Sequence, residues 1–137
     1  MRHKEFNQKT KRLDTNGDQI PDWYWKAGLH DAQVLSITES LLPIDWKSKD
    51  PLRNCLEIGL SCRYAMFERN ITKIKLFNYK LSLPLPVLSY DSVWWISDAI
   101  SMNANGLCHL EIELVSGRKN KIFLKIDFES AEIERKQ

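Results

Sequence analysis

Residues 107–128 read LCHLEIELVSGRKNKIFLKIDF, and the fold class follows from their alternation. Leu110, Ile112 and Leu114 alternate with His109, Glu111 and Glu113; Ile122, Leu124, Ile126 and Phe128 alternate with Phe123, Lys125 and Asp127. Successive side chains on a strand point to opposite faces, so each run is a half-buried strand. The polar, glycine-containing link Ser116-Gly117-Arg118-Lys119-Asn120 makes the two runs a hairpin. Just upstream, Asn105-Gly106 tolerates the positive φ of a type I′ turn, which joins a strand over 93–103 to the one starting at Leu107.

Working outward, three more strands are legible. Leu52, Asn54, Leu56, Ile58 and Leu60 alternate with Arg53, Cys55, Glu57, Gly59 and Ser61. A β-forming segment runs from Ile71 to Lys80. Val34, Leu35 and Ile37, within Asp31 to Ser40, alternate imperfectly, as a bulged strand would. Pro84 and Pro86 lack a ladder donor and belong in a loop or at an edge. Helix is confined to about two turns over Pro21 to Ala27, with Gly28 suited to end them. The expected fold is mostly β: a curved antiparallel meander bent into a sandwich or half-barrel, with a minor N-terminal helix.

The 137 residues suffice for one domain with its own core. Residues 1–13 carry five basic groups and one acid, and read as a basic N-terminal tail; residues 14–137 read as a single β-rich domain. Residues 14–50 carry seven acids against three bases. The basic groups thus lie apart from any aromatic-lined stripe, which argues against a nucleic-acid partner. No apolar run approaches the roughly 20 residues needed to span a bilayer. The basic N-terminus has no apolar stretch behind it, so it is no secretory signal, and a cytoplasmic location is expected. Cys55, Cys62 and Cys108 are odd in number and lack C-x-x-C spacing, as befits free thiols in a reducing compartment.

One local motif has metal-binding chemistry. Asp14, Asn16 and Asp18 present side-chain oxygens at alternate positions, followed by the Ile20 carbonyl and the Asp22 carboxylate, a set suited to Ca2+. The run resembles the calcium loops of EF-hands and dockerins over nine residues. It departs from the EF-hand pattern at the sixth position, where Gln19 replaces glycine, and at the twelfth, where Trp25 replaces the bidentate glutamate. The competing reading is an Asn16-Gly17 turn with aspartates bonding their own backbone.

His30 and Asp31 suggest acid–base chemistry of a hydrolase, but neighbours on a strand face opposite ways. No nucleophile is assigned by local pattern. Trp23, Tyr24, Trp25, Trp94 and Trp95 are the candidate binding residues: rings set side by side are hard to bury together, and tryptophan is enriched in interface hot spots. At least one of the five is expected to be exposed. The succession Trp23-Tyr24-Trp25, Leu29-His30-Asp31-Ala32 and Trp94-Trp95-Ile96-Ser97-Asp98, followed by hairpins, resembles small uncharacterised bacterial proteins, some of them immunity proteins encoded beside polymorphic toxins. That resemblance implies a non-enzymatic domain with a protein partner. A calcium-stabilised domain is the alternative, and a hydrolase using His30 and Asp31 ranks below both.

Overall fold

The computed structural model describes residues 2–6, 11–13, 19–21, 23–26, 28–43, 52–102, 106–117 and 120–136. Its strands are β1 (Arg2–Phe6), β2 (Lys11–Leu13), β3 (Gln19–Pro21), β4 (Gln33–Pro43), β5 (Leu52–Ser61), β6 (Ile71–Phe77), β7 (Lys80–Leu81), β8 (Val93–Met102), β9 (Cys108–Ser116), β10 (Asn120–Phe128) and β11 (Ser130–Lys136). Nine form one open antiparallel sheet in the order β1-β11-β6-β5-β4-β8-β9-β10-β7, and β2 with β3 forms a separate ribbon.

Two meanders, β4-β5-β6 and β8-β9-β10, make up the two halves. They are joined at a narrow seam, where β4 meets β8 through the single pair Gln33 and Trp94. Just before that pair, Asp31 N–H donates to the Trp95 carbonyl (2.9 Å) and Trp95 N–H to the Ala32 carbonyl (2.8 Å). At the other side the chain turns a corner twice. Asn78, with φ 52°, and Tyr79 separate β6 from β7, and Glu129 alone separates β10 from β11. Glu129 N–H donates to the Phe77 carbonyl at 3.0 Å, so both corners bend together.

The bend lets the two inner faces share one core. Leu56, Ile58, Ile74, Leu76 and Ile133 from one half pack in the same cluster as Leu110, Ile112, Leu114, Leu124, Ile126 and Phe128 from the other. Each fully buried aliphatic chain there stabilises the fold by about 1.5–3 kcal/mol. The hairpin over 107–128 has the register its alternation requires, with Leu124 opposite Ile112 and Ile126 opposite Leu110. Gly117 (φ 67°), just after β9, and Gly106 (φ 82°), before its start, take the left-handed backbone that glycine accepts most readily. Pro84 and Pro86 lie in the loop between β7 and β8.

The imperfect alternation of β4 is a bulge. Val34 faces Leu60 and Ser36 faces Gly59, leaving Leu35 unpaired and exposed. The same device recurs in β8, where Trp95 faces Leu114 and Ser97 faces Glu113, leaving Ile96 as the extra residue.

No helix occurs among the described residues, including the stretch after Pro21 where about two turns were expected. Pro21 ends β3, and isolated turns follow: Tyr24 N–H donates to the Pro21 carbonyl and Gly28 N–H to the Trp25 carbonyl. Lys26, at φ 53°, interrupts any helical run. Packing explains the departure. Trp23 and Trp25 are both buried, and a helix would turn residues two apart to different sides.

Strand β11 was not legible from its polar sequence, SAEIERK. Its inner face carries Ala131 and Ile133, while Glu132 and Glu134 are buried on the other face. That outer face is a ladder of alternating charge. Lys73 reaches Glu57 at 2.7 Å and Glu134 at 3.8 Å, and Lys75 lies 4.0 Å from Glu132. Arg2–Phe6, within the basic N-terminal segment, pairs along β11 and adds a strand to the sheet.

Candidate binding site

The five aromatic candidates divide between core and surface. Trp23, Trp25 and Trp95 are buried, while Tyr24 and Trp94 are half-buried. The Trp25 and Trp95 rings meet edge to face with centroids 5.5 Å apart, and Trp23 packs on Phe128 at 6.1 Å. Three of the five are therefore core and present no face to a partner. Asp98 allows the burial of Trp25 and Trp95. Its Oδ2 accepts from Trp25 Nε1 at 2.8 Å and Trp95 Nε1 at 2.7 Å, and its Oδ1 accepts from the Tyr24 hydroxyl. A carboxylate taking three donors removes the cost of burying bare indole N–H groups. Burial, first, and the Asp98 charge, second, push the Tyr24 hydroxyl far above the usual tyrosine range.

His30 and Asp31 do approach each other, at 3.5 Å between Nε2 and Oδ1. The strand argument against their meeting does not apply, because they sit in a turn with Asp31 at φ 71°. His30 Nδ1 lies 2.6 Å from the Ile96 carbonyl. A cleft of about 300 Å³ lies beside them, bounded by Met66, Ile96, Ser97 and Asp98. Its one hydroxyl, Ser97 Oγ, donates to Glu113 at 3.2 Å. Geometry thus gives the histidine a backbone anchor and the serine a different partner.

Of the calcium set, Asp14, Asn16, Asp18 and Asp22 lie outside the described residues, and Ile20 is a buried residue of β3 paired with Arg12. Among the described residues no group of three or more histidine, cysteine or acidic side chains is placed to hold a metal. All three cysteines are buried thiols outside any disulfide. Burial and, behind it, the Glu68 charge push the Cys62 thiol up to about 12, so it stays protonated and unreactive.

The surface feature that sequence pattern did not reveal is the β5–β6 connection, Arg63-Tyr64-Ala65-Met66-Phe67-Glu68-Arg69. Tyr64, Met66 and Phe67 are all exposed, Phe67 at 77%. The backbone beneath them is tied down. Ala65 is buried, Met66 N–H donates to the His30 carbonyl at 2.8 Å, and Phe67 and Glu68 N–H both donate to the Gly28 carbonyl, at 3.1 and 3.0 Å. A Cβ on Gly28 would stand 3.0 Å from the Glu68 Cβ, so the glycine permits this close seating. Arg63 stacks over the Tyr64 ring at 5.3 Å. No alternation or motif marks such a loop in sequence; its only signal is large apolar residues between strands with nothing local to bury them.

Beside the loop, the ends of β5 and β11 and the start of β6 enclose a cleft of about 460 Å³. Arg63, Arg69 and Lys136 line it together with Ser61, Thr72 and Ile71. No helix among the described residues is long and apolar enough to cross a membrane. No protein-family model matches the chain, and no match was found among curated proteins or solved structures.

Proposed function

We propose that this chain is a non-enzymatic protein-binding domain whose contact face is the loop Arg63–Arg69. The observation that carries the reading is the exposure of Tyr64, Met66 and Phe67 on a backbone hydrogen-bonded to Gly28 and His30. Aromatic residues, methionine and arginine are the types enriched at protein interfaces. A pre-ordered loop loses little conformational freedom on binding, so its apolar area converts more fully into affinity. The protonated Cys62 thiol near the loop and the Ser97 hydroxyl bonded to Glu113 favour binding over chemistry. Neutralisation of a protein toxin is the form of this activity that the immunity-type resemblance implies.

The test is comparative capture from the native cell extract, with the chain immobilised. A partner should be retained by the wild type and by Phe123→Ala, which removes an exposed aromatic from β10. The same protein should be lost with Tyr64→Ala/Phe67→Ala, although that variant melts like the wild type. Identical retention by all three chains would overturn the assignment.

A further inference from the structure

We propose that the cleft bounded by Arg63, Arg69 and Lys136 receives an acidic segment of the partner protein, adjoining the apolar contact made by Tyr64 and Phe67. For the identity of the anion's carrier, this rests on the protein-binding reading above. The three cations come from three places in the chain, the end of β5, the approach to β6 and the end of β11, and converge on one concavity. On the neighbouring strands β6 and β11 three basic groups have acidic partners: Lys73 with Glu57, Lys75 with Glu132, Arg135 with Glu68. Arg63, Arg69 and Lys136 make no ion pair among the described residues. Arg63, Arg69 and Lys136 are exposed, and three like charges around one concavity present a positive potential that an anion complements.

The two guanidinium heads are also held in place: Arg69 Nε donates to the Ala65 carbonyl at 3.3 Å and Arg63 stacks on Tyr64. The main chain at Lys136 is fixed by its own N–H, which donates to the Asn70 carbonyl at 2.7 Å. Ile71 and Leu60 give the cleft an apolar wall for a glutamate stem, and Ser61 adds a hydroxyl donor.

Carboxylate is favoured over phosphate by the state of the backbone. Phosphate sites draw on clusters of free main-chain N–H groups. In the loop adjoining the cleft, the N–H groups of Ala65, Met66, Phe67 and Glu68 are all spent on the carbonyls of Cys62, His30 and Gly28, so the loop offers it no main-chain donor from these residues. Recognition is left to side-chain cations, whose guanidinium forks match carboxylate and phosphate alike, without the main-chain donors that add to a phosphate site. Three cations around one concavity also make a point of charge, unlike the extended track that a nucleic-acid backbone requires.

The test uses the full chain and follows its amide resonances. The probes are a peptide of alternating glutamate and leucine, the same peptide with glutamine for glutamate, inorganic phosphate and a single-stranded oligonucleotide. The acidic peptide should shift the amides of Arg63, Arg69, Thr72 and Lys136 saturably, and more weakly as salt is raised. Arg69→Gln and Lys136→Gln should each weaken it about two- to fivefold. Equal binding of the glutamine peptide, no saturable shift, or tighter binding of phosphate or oligonucleotide would each overturn the proposal. The two readings fail separately. Unchanged partner capture by Tyr64→Ala/Phe67→Ala sinks the loop, while saturation by the acidic peptide concerns the cleft alone.

Discussion

Trp95 and Asp98, three positions apart on β8, meet at 2.7 Å between the indole Nε1 and Oδ2. On a regular strand an odd separation places two side chains on opposite faces. The bulge at Ile96 supplies the extra residue that turns both inward: Trp95 pairs with the buried Leu114 and Asp98 with the buried Ile112. A carboxylate is thereby inserted where the two indoles need an acceptor.

The first expected outcome follows from that insertion. Asp98→Ala strands three donors, two of them on buried indoles. A buried donor left unpaired costs about 1–3 kcal/mol, so urea denaturation should show a loss of about 3–5 kcal/mol. Asp98→Asn keeps one acceptor oxygen and should lose less. A loss below about 1 kcal/mol for the alanine variant would mean that the carboxylate does not hold the cluster.

Alkali should unfold the protein through its tyrosines. The Tyr24 and Tyr79 hydroxyls are both raised, chiefly by burial, then by Asp98 and Glu39 respectively. Below pH about 10 each is protonated in both states. Above it the unfolded chain releases the proton and the folded chain does not, so stability falls as pH rises. The slope is at most about 1.4 kcal/mol per pH unit for each tyrosine. Relative to wild type, Tyr24→Phe should be less stable at pH 8 yet show a flatter decline above pH 10. A parallel decline would remove Tyr24 as the cause.

How much of this was legible in the sequence depended on whether polarity reported burial. It did over 107–128, where each apolar residue of the alternation faces the core and its neighbour faces out. It did at β4 too, where the irregular spacing of Val34, Leu35 and Ile37 marked a real bulge. It failed at β11, because Glu132 and Glu134 are buried against Lys73 and Lys75 and hide a strand behind charge. It failed again for the tryptophans, since the acceptor that lets Trp25 be buried lies 73 residues away at Asp98. The exposed loop around Phe67 carried no pattern, as its position is set by carbonyls of residues 28–30.

His109 should make stability depend on pH in the opposite range. Its Nδ1 lies 2.6 Å from Asp127 and its Nε2 3.2 Å from Glu111. The Asp127 hydrogen bond leads in raising its pKa above 6.5. A raised folded pKa gives stability that is complete below the unfolded value and is lost as pH rises through the folded one. An unfolded histidine titrates near 6.5, so the gain is complete below that value and falls away as pH rises through the folded pKa of His109. The groups are partly exposed, which limits the gain to about 0.2–1 kcal/mol. His109→Gln should erase the difference in stability between pH 5.5 and 8 that this residue causes. An unchanged pH profile would assign that difference elsewhere.

Leu124 and Lys125 test the two faces of β10. Leu124 is buried opposite Ile112, so Leu124→Ala should cost about 2–5 kcal/mol as a core truncation. Lys125 is exposed, with only a 3.9 Å approach to Glu111, and Lys125→Ala should stay within about 0.5 kcal/mol. Comparable losses at both sites would be incompatible with this register.

Gly59 sits opposite Ser36 at the β4 bulge. A Cβ built on Gly59 would lie 2.6 Å from the Ser36 hydroxyl, while the next nearest atoms, the Ser36 Cβ and N, are at 3.9 Å. The obstruction is thus a single oxygen. Glycine inside a strand costs roughly 0.5–1 kcal/mol relative to alanine, so replacing it should help once that oxygen is gone. Gly59→Ala alone forces the serine hydroxyl to rotate and should be neutral or destabilising. In the Ser36→Ala background the same substitution should gain about 0.5–1 kcal/mol, giving a favourable coupling in a double-mutant cycle. If Gly59→Ala is equally stabilising with Ser36 present, the hydroxyl exerts no constraint and the contact across the bulge is looser than the geometry describes.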